Sequence, residues 1–148
     1  MTPAPRRKRI LLVDDDPAGT ELTLAALAIV DPEVNVAVAA DGEEALDYVF
    51  RRGTYAALAG DAPDAVLLDL KMPKVDGYEV LRQIRADPQL RTSRVFVLTS
   101  SDQERDKALS RELGTDGYLV KPASIAGLIG ELRQCIGLLL PRNATPAP

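Results

Sequence analysis

The chain contains no histidine. Nucleophilic catalysis by Ser–His or Cys–His pairs and metal sites built on imidazole are thereby excluded. Any phosphohistidine chemistry has to be supplied by another protein. There is one cysteine, Cys135, so no internal disulfide can form, and a reducing cytoplasm is the expected compartment. No apolar run approaches the length that crosses a bilayer, so no membrane role is expected. The start, "MTPAPRRKRILLVDDD", is basic, but its apolar run stops after Val13 in three aspartates, too soon for a signal peptide. Glycine fingerprints for dinucleotides or a P-loop are absent. So is a long basic stripe, and with a net charge of −4 direct binding to nucleic acid is not expected.

What is present is an ordinary globular composition, 46% apolar and 27% charged over 148 residues, enough for one domain with a real core. Strand-like and helix-like stretches alternate. "RILLV" (9–13), "VNVAVAA" (34–40), "AVLL" (65–68), "VFVLT" (95–99) and "GYLV" (117–120) read as strands. The first helix starts at Asp16 and Pro17, a cap and a first-turn proline, with Leu22, Ala25, Ala26 and Ile29 as its inner face. The second opens on Asp41 and Glu44, a capping-box spacing, with Ala45, Leu46, Val49 and Phe50 as its stripe. A third, "GYEVLRQIRADP", ends before Pro88. A polar helix over 102–113 offers only Ala108, Leu109 and Leu113, and the last, 123–140, carries Ile125, Leu128, Ile129, Leu132 and Ile136. Five β–α units imply an α/β fold, a doubly wound five-stranded parallel sheet covered on both faces. Residues 9–140 form a single domain, and 1–8 and 141–148 read as loose tails.

In such folds the working crevice lies beyond the carboxyl ends of the strands. Strand one ends in Asp14-Asp15-Asp16, strand three in Asp69, strand four in Thr99-Ser100-Ser101, and strand five in Lys121-Pro122. Each alone could be a cap or a loop residue; Asp16 is best read as a cap. Together they converge on one edge. Carboxylates gathered there repel one another and favour a hard cation, and an oxygen-only donor set points to Mg²⁺ over zinc. Asp15 and Asp69 are natural ligands, with Asp14 direct or through water. With Lys121 and the Thr99 hydroxyl beside it, a carboxylate is suited to attack phosphorus and become an acyl phosphate.

The motifs "LLVDDDP", "LLDLKMPKVDGYEVL", "VLTSS" and "GYLVKP", in this order, resemble the response-regulator receiver domain of two-component signalling, over residues 9–139. The resemblance implies a flavodoxin-like fold with strand order 2-1-3-4-5. It makes Asp69 the phosphoacceptor, Asp14 and Asp15 the acidic pair for Mg²⁺, the Lys71 backbone carbonyl a further metal ligand, Thr99 the switch hydroxyl and Lys121 the phosphoryl-binding lysine. It implies a cis peptide bond between Lys121 and Pro122, and Tyr118 as the aromatic that rotates inward when Thr99 moves. Lys71 and Ser101 fall at positions that tune loss of the phosphate; a long amine beside the site would obstruct attacking water and make the phosphate durable. The thin apolar stripe of the fourth helix suits a moving part.

The expected function is that of a single-domain response regulator, phosphorylated by a partner histidine kinase and signalling through phosphorylation-dependent contact. It is not a dedicated enzyme, beyond its own phosphorylation and slow autodephosphorylation. A phosphorelay intermediate or a phosphate sink is the alternative. No output domain is expected after the receiver. The excess apolar surface of "CIGLLL" suits a homodimer through the last helix. The long "RRGTY" arm between strands two and three, with the "LLLP" ending, resembles stand-alone regulators paired with bacterial phytochrome kinases. An aspartate-nucleophile phosphatase normally has a second acid two residues after the nucleophile, where Lys71 stands here. A phosphorylation-independent scaffold would have no need of the intact Asp14, Asp15, Asp69, Thr99 and Lys121 set.

Overall fold

A computed structural model of the chain describes residues 7–58, 62–72 and 74–139. Strands β1 (Arg9–Val13), β2 (Asn35–Ala39), β3 (Ala65–Leu68), β4 (Arg94–Thr99) and β5 (Gly117–Val120) alternate with helices α1 (Pro17–Val30), α2 (Gly42–Val49), α3 (Gly77–Ala86), α4 (Glu104–Glu112) and α5 (Ile125–Gly137). All pairings are parallel, in the order β2-β1-β3-β4-β5. This is the doubly wound, flavodoxin-like order. The ladder starts one residue before β1: the Lys8 carbonyl, within the stretch read as a tail, accepts the Asn35 N–H at 2.8 Å. The remaining tail residues, 1–6 and 141–148, lie outside the described residues. No described helix is long and apolar enough to cross a membrane.

The strands are continuous apolar runs because both faces of the sheet are covered. Side chains alternate between two cores. Ile10, Leu12, Ala65, Leu67, Phe96 and Leu98 pack with α1 and α5, against Ala26, Leu27, Leu128 and Leu132. Leu11, Val13, Val66, Leu68 and Val95 pack with α2 and α3, against Ala45, Leu46, Val80, Leu81 and Ile84. Each fully buried leucine contributes roughly 1.5–3 kcal/mol, so the central strands are the rigid frame from which the polar strand ends project.

Two helices bury faces other than those expected. In α1 the buried residues are Thr23, Ala26 and Leu27, while Leu22 and Ile29 are exposed. "LTLAALAIV" is apolar all round, so its periodicity does not choose a face. In α4 the inner face is Asp106 and Ser110, with Leu113 packed against the second core; Ala108 and Leu109 face out. Asp106 and Ser110, a polar pair spaced i, i+4, read in sequence as part of a solvated face, whereas Leu113 packs inward as expected. The α5 stripe holds except that Ile125 is exposed, and the end of the helix packs partly inward, with Leu140 outside the described residues. Cys135, Ile136 and Leu139 join the first core, leaving Leu138 exposed. Burial pushes the Cys135 thiol up to about 11, with Glu131 adding to it, which keeps it unreactive.

The Ser110 hydroxyl is fully buried and has no hydrogen-bond partner among the described residues. An unsatisfied buried hydroxyl costs about 1–3 kcal/mol, and alanine is the better helix former. Ser110→Ala is therefore expected to stabilise the fold by about 1 kcal/mol in urea unfolding. A loss of stability would mean that the hydroxyl is satisfied in solution.

The "RRGTY" arm is fastened to α2. The Tyr55 hydroxyl donates to Glu44 Oε1 at 2.8 Å, and the Tyr48 and Tyr55 rings meet edge to face at 5.2 Å. Arg51 and Arg52 lie over the rings of Tyr48 and Phe50. Glu44 also accepts the Ala40 N–H, while Asp41 accepts the Glu44 N–H. The capping box thus closes one residue earlier than its usual form.

Candidate functional site

The sheet itself places the polar strand ends. Beyond the last paired residues, the Asp14 N–H donates to the Ala39 carbonyl (3.1 Å), the Asp69 N–H to Val13 (3.0 Å) and the Lys121 N–H to Thr99 (2.7 Å). Three of the candidate site residues therefore have backbones fixed by the ladder while their side chains leave it. Asp14 and Asp69 are buried, at 3% and 9% exposure, and Asp15 is exposed. Oxygens of Asp14, Asp15 and Asp69 all lie within 4.8 Å of one another. Lys121 Nζ sits 3.0 Å from Asp14 Oδ2 and 3.4 Å from Asp69 Oδ2. Asp14 Oδ1 accepts the Asp16 N–H at 3.0 Å, and the Lys71 N–H approaches Asp69 Oδ1 at 3.5 Å. Asp16 stays out of the cluster and caps α1 through the N–H groups of Ala18 and Gly19.

The electrostatics are unbalanced. Carboxylates gathered this closely repel one another, and the one ammonium hydrogen-bonded to them offsets part of this. Partial burial pulls the Lys121 pKa down, but the hydrogen bond to Asp14 and the charges of Asp69 and Asp14 outweigh it, so it lies above the usual lysine value. Three converging oxygen donors with uncompensated negative charge fit a hard divalent cation.

One expectation is corrected. The Lys121–Pro122 bond is trans; there is no cis peptide among the described residues. The trans form is intrinsically favoured by about 0.5–1 kcal/mol. With the Lys121 N–H held by Thr99, the side chain already reaches both aspartates. Pro73, in the turn after Asp69, lies outside the described residues.

The switch candidates are joined by groups the sequence reading missed. Thr99 is buried, and its Oγ1 accepts the Ser101 N–H at 3.4 Å. Tyr118 is half-buried and donates its hydroxyl to the Ser101 carbonyl at 2.7 Å. The Ser101 hydroxyl donates to Asp106 Oδ2 at 2.5 Å, and the Tyr78 hydroxyl donates to Asp106 Oδ1. Hydrogen bonds from Ser101 and Tyr78 hold the Asp106 carboxyl below its ordinary value despite burial, helped by the charge of Lys71. Burial and the bond to Asp106 push the Tyr78 phenol well up; burial, with the charge of Asp106, raises Tyr118. The sequence carried no signal for these groups, since Asp106 and Ser110 are polar and read as part of a solvated helix face.

A sequence model of the response regulator receiver domain matches residues 10–133. The chain belongs to the response-regulator receiver family. Among curated relatives, the response regulator MprA of Mycolicibacterium vanbaalenii is 36% identical over 138 residues, covering 93% of this receiver and 52% of MprA. The receiver thus spans about half the length of the curated relatives it matches. Solved structures match end to end. The phosphorylated cyanobacterial phytochrome response regulator RcpA has a TM-score of 0.83 at 36% identity, over 96% of this receiver and 100% of that chain. The Mn²⁺-bound form of response regulator Rcp1 has a TM-score of 0.79 at 33% identity, over 95% and 99%. The solved structures similar to this receiver include phytochrome response regulators alongside receiver domains of other response regulators.

Proposed function

We propose that this receiver takes a phosphoryl group onto Asp69 from a partner histidine kinase, in a Mg²⁺-dependent reaction, and signals by contacts that depend on that phosphate. The observation that carries the reading is the meeting of Asp14, Asp15 and Asp69 within 4.8 Å, with the Lys121 ammonium on both Asp14 and Asp69. Asp14, Asp15, Asp69 and the Lys71 carbonyl would hold the cation, which supplies charge neutralisation at phosphoryl oxygens. An Asp69 oxygen forms the new bond to phosphorus as the bond from phosphorus to the donor imidazole nitrogen breaks. Lys121 attracts the phosphoryl oxygens, and Thr99 offers its hydroxyl to one of them, giving up its present bond from the Ser101 N–H. Lys71, exposed beside the acceptor, shields the acyl phosphate from water.

The likeness to RcpA along its whole length supports a phytochrome-type kinase as the donor. Incubation with Mg²⁺ and a small phosphodonor, followed by intact-mass measurement, is expected to show a single phosphoryl adduct that needs Mg²⁺ and is absent from Asp69→Asn. An adduct persisting in Asp69→Asn would falsify the assignment.

A further inference from the structure

The bonds around Asp106 form a hub that no part of the phosphoacceptor site requires. Asp106 is 7% exposed and stands in the first turn of α4, where a carboxylate complements the helix dipole. That ordinary role is filled by bonds to backbone N–H groups or by solvent. Here both carboxylate oxygens are taken by hydroxyls from other elements, Tyr78 of α3 and Ser101 of the β4–α4 loop. The α4 cap residue, Gln103, makes no side-chain capping bond. Its N–H is bound instead by Ser101 Oγ at 3.3 Å, the same oxygen whose proton points to Asp106.

Ser101 is therefore held at three atoms. Its N–H is on Thr99, its hydroxyl lies between Asp106 and the start of α4, and its carbonyl receives Tyr118. The first and last of these are the two residues read as the switch. Any movement of Thr99 toward a phosphoryl group pulls on Ser101, and Ser101 can move only with Asp106 or away from it.

We infer that Asp106 is a positioning residue for the switch: it anchors Ser101 to α4 and to Tyr78, fixes the Ser101 carbonyl where Tyr118 docks, and so couples the Thr99 loop to α4 and α3. The inference rests on the reading of Thr99 and Tyr118 as the switch pair. It gives α4, whose inner face is polar, a specific tether in place of apolar packing.

The test uses the full chain labelled with 3-fluorotyrosine and followed by ¹⁹F NMR without phosphodonor. Four tyrosines give four signals, and Tyr118 is assigned by its loss in Tyr118→Phe. In Asp106→Ala the Tyr118 signal is expected to move toward the position of the unfolded chain. In Ser101→Ala it should move similarly, and the double variant should add little to either. Tyr78→Phe keeps the ring and removes one bond to Asp106; a part-way shift is expected there, and this variant carries the test if Asp106→Ala does not fold. A Tyr118 signal unmoved in folded Asp106→Ala or in Tyr78→Phe, or fully additive shifts in the double variant, overturns the inference. Mg²⁺ and a small phosphodonor are then added to the same samples and adduct formation is weighed. An adduct alongside an unmoved Tyr118 removes this inference alone, whereas wild-type protein without an adduct removes the Asp69 reading and leaves the tyrosine result to be judged by itself.

Discussion

Lys121→Ala is expected to slow phosphorylation of Asp69 by a small phosphodonor roughly 10²–10³-fold, the usual cost of removing one preorganised charge from a reacting oxyanion. Lys121 Nζ lies within 3.4 Å of Asp69 and 3.0 Å of Asp14, so it is in place before any phosphoryl group arrives and needs no reorganisation. The same change has a second consequence. Asp14 and Asp69 are left buried beside Asp15 without their ammonium, and unpairing a buried charge costs about 3–5 kcal/mol. The lysine side chain is 25% exposed, which lowers the expected loss to about 2–3 kcal/mol. Mg²⁺ should restore much of that stability, because the variant site holds the same three carboxylates with less competing positive charge. The pH profile separates the two effects. The folded pKa of Lys121 lies above the ordinary lysine value, so its contribution to stability is fully present below the ordinary value and is lost only as pH rises through the folded pKa. Between neutrality and pH 9 the wild-type advantage should be flat. An unchanged phosphorylation rate in Lys121→Ala, measured with saturating Mg²⁺, would remove the lysine from the chemistry.

The strand ends were legible because a strand buried on both faces is apolar until it leaves the sheet. The first ionisable residue after such a run is thereby marked: Asp14 after Val13 and Asp69 after Leu68; Lys121 follows the half-exposed edge strand β5 and is marked only by the end of its apolar run. Parallel topology then sends all of these ends to one edge, and the family resemblance supplies the strand order that makes them neighbours. Helix faces were less legible wherever composition gave no contrast. In α1, Leu22 and Leu27 are equally apolar, and only the tertiary contacts with α5 decide that Leu27 is inside. In α4 the contrast exists but points the wrong way. Asp106 is buried because Ser101 and Tyr78, distant in sequence, satisfy both of its oxygens, and a helical period cannot foresee partners on other elements. The Lys121–Pro122 bond was beyond sequence for another reason. Its two isomers differ by less than the energy of one good hydrogen bond, and here the Thr99 carbonyl already fixes the lysine's direction.

Gly77→Ala is expected to cost about 3 kcal/mol of stability, at the upper end of what overpacking a tight contact does, and to impair the site out of proportion to that loss. Gly77 is the first residue of α3, after the Asp76 cap, and its N–H donates to the Leu70 carbonyl at 3.0 Å. A Cβ on Gly77 would stand 2.2 Å from the Asp69 carbonyl oxygen and 2.7 Å from Leu70 Cα. Both obstacles are backbone, so no side-chain rotamer relieves the clash. Either α3 withdraws, opening the second core at Val80 and Leu81, or residues 69 and 70 shift. In the second case the Asp69 carboxylate and the Lys71 carbonyl move with them, and the three carboxylates no longer meet. The matched control is Gly130→Ala in α5, where an added Cβ meets nothing within 4 Å. That change should stabilise by about 0.5–1 kcal/mol through helix propensity alone. Urea unfolding of the two variants should therefore move in opposite directions, and isothermal titration with Mg²⁺ should show weakened binding only in Gly77→Ala. Binding that stays at the wild-type value in a destabilised Gly77→Ala would show α3 giving way and the loop after β3 holding its place. Loss of binding at modest destabilisation would show that the close approach of α3 to the Asp69 backbone keeps Asp69 in register with Asp14 and Asp15.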